Sequence, residues 1–324
     1  MLRAVLAACA AWAGIGWSAL AHSAADDYPS RPVRLIVPFP AGATTDFMGR
    51  LIADYLRATT SQPVVVENIG GASGTIGAAA AAKSPADGHN LLVYGGSLAA
   101  AGHLYKDLPF APMRDLVPIG ALGRIPTVFA VHKDVPAKTL AELVALARRA
   151  PGRFNYVSPG TGTPPHLAAL QLAGHFELDL LHVPYRGIAP AVTDLVAGRG
   201  NLIGVDVSPI LPHIQSGTLR AIAVAADRRI AALPDVPTAT EAGFPGYEHY
   251  AWWGLFAPRG TPPAILDRLN TMLRSAVTDP AVVAKLQAYH ALPLALTRAQ
   301  AQELLENEYR TMGEIVRQYG IAPQ

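Results

Sequence analysis

RLIVPFPAGATTDFMGRLIADYL, residues 34–56, contains an apolar run, a loop and the start of a helix. The run ends in Pro38-Phe39-Pro40, and the loop continues through Ala41, Gly42, Ala43, Thr44 and Thr45 to Asp46. Beyond it, Phe47, Met48, Leu51, Ile52, Tyr55 and Leu56 recur at the spacing of one helical face. The loop is small, hydroxyl-rich and nearly free of charge. A helix N-terminus leaves backbone N–H groups unpaired and carries partial positive charge, which together favour an anion. Glycine lets a ligand approach the backbone, and Thr hydroxyls add donors.

Similar junctions recur. Ser158-Pro159-Gly160-Thr161-Gly162-Thr163 precedes Pro164, Pro165, His166 and a helix around Leu167 and Leu170. Tyr185-Arg186-Gly187-Ile188-Ala189 precedes Pro190 and a short helix that stops at Gly198. Thr44 or Thr45 is expected to cap the first helix and Thr163 the second, with Pro164 and Pro190 in first turns. Any one such loop is most simply a connection. Their recurrence points to a binding site outside the carboxyl ends of strands. Asp46 has two readings, as a cap or as a pocket residue, and capping is favoured. His166 stands open between binding and packing, and Arg186 reads as a surface or inter-lobe ion pair. Gly95, Gly96 and Ser97 follow another strand and add a wall. GGASGTIG at 70–77 lacks the GxGxxG and GK[ST] patterns and reads as a turn and helix start.

Apolar runs at 33–37, 64–67, 91–94, 117–121, 127–132, 154–157, 181–184, 202–207 and 219–225 alternate with amphipathic helical patterns. Most lack polar alternation, as strands covered on both faces do. The order predicts an α/β fold with mainly parallel sheets flanked by helices. Extended passages at 117–134 and from Leu219 to Asp227 suggest a chain that crosses between two lobes and returns, leaving a cleft. Lobe 1 is placed at 22–124 plus 226–324, and lobe 2 at 125–225.

The first 21 residues read as a secretory leader: Arg3, an apolar stretch to Leu20, and an Ala19-Leu20-Ala21 cleavage site. Its removal takes Cys9, the sole cysteine, so the mature chain has no disulfide or thiolate ligand. Arg3 leaves with it, and the formal net charge falls from +2 to +1. With 51% hydrophobic and 15% charged residues in 324, the chain is globular, and it has no basic stripe for nucleic acid. No GxSxG, HExxH or paired-His spacing appears, so neither a catalytic residue nor a metal or other cofactor is expected.

Longer stretches carry a resemblance. YPSRPVRLIVPFPAGATTDFMGRLIA, VVVENIGGASGTIGA, YVSPGTGTPPHLAALQL, HVPYRGIAPAVTDLVAGR and LPDVPTATEAG stand in the order of the tripartite tricarboxylate transporter substrate-binding proteins, the Bug family of periplasmic receptors. The chain resembles that family over most of its mature length. The resemblance implies a two-lobed type II periplasmic binding protein, a monomer that closes over a small carboxylate and delivers it to a membrane permease. It further implies that the first two loops hold carboxylates through N–H groups, hydroxyls and water. The family's motif positions fall on Ala41, Gly42, Thr45 and Asp46, on Ser158, Gly160, Gly162, Thr163 and His166, on Tyr185 and Gly187, and on Asp206. With Ala43, Thr44, Gly96, Ser97 and Thr161 these are the candidate ligand-binding residues. The chain departs from the family at Ala43, where a second glycine is usual. Val205 is small where a bulkier residue is usual, which reshapes the pocket beside Asp206. A solute-sensing partner of a membrane kinase and an exported hydrolase are the alternatives.

Overall fold

The computed structural model describes residues 28–321 and 323. The expected leader and its cleavage site lie outside the described residues. Strand β1 (Val33–Val37), helix α1 (Thr44–Thr60), β2 (Val64–Asn68), α2 (Thr75–Ala82), β3 (Asn90–Gly95), α3 (Gly96–Leu104) and the short α4 (Pro112–Asp115) come first. The long β4 (Leu116–His132) leads to α5 (Leu140–Arg149), β5 (Phe154–Ser158), α6 (Pro164–His175), β6 (Leu180–Pro184), α7 (Ile188–Val196), β7 (Leu202–Asp206), α8 (Leu211–Gln215) and β8 (Leu219–Ala225). The chain then forms β9 (Tyr250–Pro258), α9 (Pro263–Thr278), α10 (Pro280–Ala288), β10 (Leu292–Pro293) and α11 (Arg298–Gln318).

The sheet has the order β2-β1-β3-β9-β4-β7-β5-β6, with β8 and β10 also paired to β4. Strands joined through helices pair in parallel: β1 with β2 and β3, and β5 with β6 and β7. The central pairings of β9 with β3 and β4, and of β4 with β7 and β8, are antiparallel. The expected α/β class therefore holds, with a sheet parallel in its two wings and antiparallel where they join. The extended passages at 117–134 and from Leu219 are β4 and β8, and they pair with each other.

Strand β4 joins the wings. It pairs with β9 as far as Pro126, opposite Tyr250, and with β7 and β8 from Thr127 onward. Proline has no N–H for a ladder, so it suits the point where one set of partners gives way to another. Register shifts between Pro118 and Gly120 and between Ala121 and Gly123 mark bulges in the same strand. In the first wing, Leu35, Met48, Ile52, Leu91 and Val93 pack together fully buried. In the second, Phe129, Leu140, Leu143, Tyr156 and Leu172 form a separate core.

Two packing features set the loops that follow the strands. At the end of β3, Gly95 lies so close to β9 that a Cβ would come within 1.8 Å of the Trp252 carbonyl oxygen. Beneath β5 and β6, Tyr156, His182 and His166 stack, with His166 and His182 ring centroids 4.1 Å apart. Burial depresses both histidines, His166 to about 3, with His182 adding to the effect, and His182 to about 4. Both rings are therefore neutral at physiological pH.

Gly95→Ala is expected to destabilise the protein by about 3 kcal/mol through overpacking against backbone, measured by denaturant unfolding; a loss under about 0.5 kcal/mol contradicts the close approach. The unfolded chain protonates His166 near 6.5 whereas the folded chain holds it neutral, so stability falls as pH drops below 6.5. His166→Asn keeps an acceptor in the ring's place and removes that proton. Between pH 6.5 and 5 the wild type should lose stability relative to this variant by up to about 1.4 kcal/mol per pH unit. Parallel stability curves for the two proteins would refute a buried neutral His166.

Candidate ligand-binding site

The loops at the carboxyl ends of β1, β3, β5, β6 and β7 meet around one cavity of ≈ 450 Å³. Ala41, Gly42, Ala43, Thr44 and Thr45 form one side of it, Gly96 and Ser97 another, and Thr163, Gly187 and Asp206 face them from the second wing. Much of the remaining wall is apolar or aromatic: Phe39, Tyr94, Trp252, Trp253, Ile188, Val205 and several prolines.

In the first loop Gly42 takes φ +83°, a value that glycine adopts without strain. Its N–H donates to Asp46 Oδ2 at 2.9 Å, so that group is engaged inside the loop. Asp46 also accepts from Arg50 Nε and Asn68 Nδ2, each at 2.9 Å. Burial alone would raise its carboxyl, but hydrogen bonds from Arg50, Gly42 and Asn68 hold it below the usual range. Asp46 is buried away from the cavity wall and ties the loop together.

The helix cap differs from expectation. Ala43, at φ −73° and ψ 161°, is the N-cap of α1 and makes no side-chain cap hydrogen bond. That φ is open to any residue, so a methyl in place of a second glycine carries no backbone strain. Thr44 and Thr45 enter the helix, and their hydroxyls serve other partners. The Thr44 hydroxyl lies 3.3 Å from both carboxylate oxygens of Asp206. The Thr45 hydroxyl accepts from Trp253 Nε1 at 2.9 Å. The first N–H groups of α1 have no partner within the helix.

The second loop spends most of its polar groups on itself. Gly160 N–H donates to Ser158 Oγ, Gly162 N–H to His166 Nδ1, and Thr163 Oγ1 to the Gly160 carbonyl at 2.6 Å. Thr163 is the N-cap of α6 without a side-chain cap bond, and prolines in the first turn supply no N–H. Ser158, Gly160, Thr161, Gly162 and His166, expected at the ligand, do not reach the cavity wall. His166 is a packed acceptor. Ser158 and His182 Nε2 lie 2.8 Å apart, yet Ser158 has no exposed surface.

The third loop is the reverse. Tyr185, also expected at the ligand, turns its hydroxyl to Asp194 Oδ2 at 2.7 Å and stays off the wall. Gly187, at φ +111°, donates its N–H to the Pro159 carbonyl and opens α7 onto the cavity. Arg186, read from sequence as an ion pair, lines the cavity exposed and makes no ion pair or hydrogen bond among the described residues. A second hollow of ≈ 770 Å³ adjoins the first across Phe39, Pro40, Pro159, Arg186 and Gly187. It is lined by Gly70–Gly74, Ile76, Gly160, Thr161 and Tyr185. Ser73 Oγ donates there to the Thr161 carbonyl at 2.8 Å, joining the two wings.

Sequence reasoning passed over Trp252 and Trp253, which come from β9 rather than from a loop. Their signal was the YAWWGLFAP run at 250–258, a strand rich in aromatic residues. Glu308 of α11 stands behind that wall, where a Cβ on Gly96 would meet its Oε1 at 2.8 Å. Burial pushes its carboxyl up to about 7.

Comparison with known proteins agrees with this architecture. BugT of Bordetella pertussis is 36% identical over 98% of this chain and 97% of its own length. A protein from R. palustris solved with adipate superposes with a TM-score of 0.87 at 33% identity, over 92% of this chain and all of the other. The periplasmic binding protein BugD superposes at 0.84 with 32% identity, over 92% of this chain and all of the other. The sequence profile described as the tripartite tricarboxylate transporter family receptor matches residues 48–321. The chain belongs to that family of solute-binding receptors.

Proposed function

We propose that this protein is an exported, periplasmic receptor that captures a small organic carboxylate and hands it to the membrane subunits of a tripartite tricarboxylate transporter. The observation that carries the reading is the unpaired guanidinium of Arg186 on the cavity wall. The starts of α1, α3 and α7 line the same wall through Thr44, Gly96 and Ile188. A guanidinium and free helix N–H groups converging on one cavity match a carboxylate. Family membership and the adipate in a related structure support the ligand class. Binding without chemical conversion fits the buried Ser158, which has no surface to offer a substrate.

The wings act as two lobes that close on the ligand, with the boundary on β4 at Pro126 and Thr127, where its partners change. Residues Ala239, Phe244 and Tyr247 belong to the second lobe, because they pack into its core with Phe129 and Tyr156. The lobe between 125 and 225 thereby gains part of the segment after β8. Candidate contacts to the carboxylate are Arg186, the backbone of Thr44, Thr45, Gly96, Ser97, Ile188 and Ala189, and the hydroxyls of Thr45 and Ser97. The receptor works as a monomer and needs no metal or cofactor.

A thermal-shift panel of small mono- and dicarboxylates, including adipate, should raise the melting temperature with at least one acid, by mass action. Arg186→Ala should weaken the affinity for that acid at least tenfold, since a hydrogen-bonded charge pair contributes roughly 1.5–3 kcal/mol. Its ligand-free melting temperature should match the wild type. Undiminished affinity in Arg186→Ala, or turnover of the bound molecule, would defeat the proposal.

A further inference from the structure

The glycine-rich turn at 70–77 does more than connect β2 to α2. Gly71, Ala72, Ser73 and Gly74 all take positive φ, at +126°, +46°, +51° and +96°. Ala72 and Ser73 are the only adjacent pair of non-glycine residues with positive φ among the described residues. Residues with a Cβ are strained there, and such strain persists where the surroundings hold it and concentrates at ligand clamps.

Three bonds from the first wing hold the turn. Gly74 N–H donates to the Gly71 carbonyl at 2.9 Å, Thr75 Oγ1 to the Ala72 carbonyl at 2.9 Å, and the Tyr94 hydroxyl to the Ser73 carbonyl at 2.6 Å. Burial pushes the Tyr94 phenol up, so it keeps the proton it donates. A Cβ on Gly74 would come within 2.7 Å of that hydroxyl, so the turn closes on Tyr94 only with glycine there. Tyr94 is also part of the cavity wall.

A fourth bond crosses to the second wing, where Ser73 Oγ donates to the Thr161 carbonyl at 2.8 Å. The loop after β5 comes close to the first wing at two points. A Cβ on Gly160 would meet Ser73 Oγ at 2.6 Å, and one on Gly162 would collide with Leu104 of α3. From its own wing that loop is held by Tyr185 N–H on the Ser158 carbonyl and Gly187 N–H on the Pro159 carbonyl. Pro159 and Gly187 line the cavity. Each side of the contact is thus tied to the cavity wall, through Tyr94 in the first wing and through Pro159 and Gly187 in the second.

We infer that Ser73 is a positioning residue for ligand binding: its strained turn is a clasp that joins the wings beside the cavity, and the wings part there to admit and release the ligand. The role rests on the two-lobe closure proposed above and adds the contact that holds it. Parting the wings costs the bond to Thr161, and it frees Ala72 and Ser73 from one of the contacts that hold them strained. A clasp of this kind holds without being permanent.

The test is a reversible lock. The chain from His22 onward lacks Cys9, the sole cysteine, so an introduced pair of thiols has no competitor. A Cβ built on Gly160 lies 3.8 Å from the Ser73 Cβ, within the disulfide range of about 3.5–4.5 Å. The variant combining Ser73→Cys and Gly160→Cys should therefore oxidise to an internal disulfide, counted by thiol titration. Oxidised after loading with an acid that the wild type binds, it should release that acid at least tenfold more slowly than the reduced protein. Oxidised empty, it should take the acid up at least tenfold more slowly, and dithiothreitol should restore both rates. A merely structural contact would change stability and leave these rates alone. Exchange slowed less than tenfold by the disulfide, or thiols that do not pair, would overturn the clasp. Hydrogen exchange of the amides at 95–97 gives an arm that needs no ligand, and oxidation should slow it at least tenfold. If no acid binds the wild type, the carboxylate reading falls, and this arm alone decides the clasp. If the paired variant does not fold, Ser73→Ala decides: it should release the acid at least threefold faster, the order of one neutral hydrogen bond, and unchanged release would overturn the role of Ser73.

Discussion

Strand β4 belongs to both wings of the sheet, and its sharing fixes where every functional loop can be. It starts in the first wing beside β9 and ends in the second beside β7 and β8. Because β3 is antiparallel to β9 and β9 to β4, strands β1, β2 and β3 run in the sense of β4, toward the second wing. Because β7 is antiparallel to β4, strands β5, β6 and β7 run against it, toward the first wing. The carboxyl ends of both parallel sets therefore face each other across the junction. Ligands in α/β sheets gather at carboxyl ends, and here two such edges meet in one cavity. The antiparallel centre, which the mainly parallel reading of the sequence understates, is what turns the edges inward.

The fold was legible because its strands are short apolar runs and its helices carry a clear apolar face, as in the stretch from Phe47 to Leu56. The site was legible only in outline. PAGATT and YRGIAP announce helix starts, and both line the cavity at Thr44 and Ile188. SPGTGTPP announces the same thing and delivers something else, since its Gly and Thr donors close on Ser158, Gly160 and His166. Loop composition records how many donors exist and leaves open which are spent locally. The two prolines at 164 and 165 were the clue, because they remove two of the N–H groups that a helix start otherwise offers. Asp46 is the same lesson in the first loop, as its three donors hold the loop's shape. Trp252 and Trp253 reach the cavity from a central strand paired to distant segments, and local sequence pattern carries no information about such pairing.

What distinguishes the cavity is the arrangement of its few charges within apolar walls. Arg186 is exposed and unpaired, so it can meet an anion at small desolvation cost. Asp206 is buried with only the Thr44 hydroxyl within hydrogen-bond distance among the described side chains, and burial pushes its carboxyl up to about 7. Thr44 connects the two regimes, because the residue that opens α1 toward an anion also places its hydroxyl on Asp206 in the other wing. A ligand that engages the start of α1 and Asp206 together bridges both wings through groups already in contact. Ser73 and Thr161 make a second link between the wings beside the neighbouring hollow, with the Tyr94 hydroxyl holding the Ser73 carbonyl at 2.6 Å. The link between the wings and the cavity wall therefore share residues, with Thr44 belonging to both.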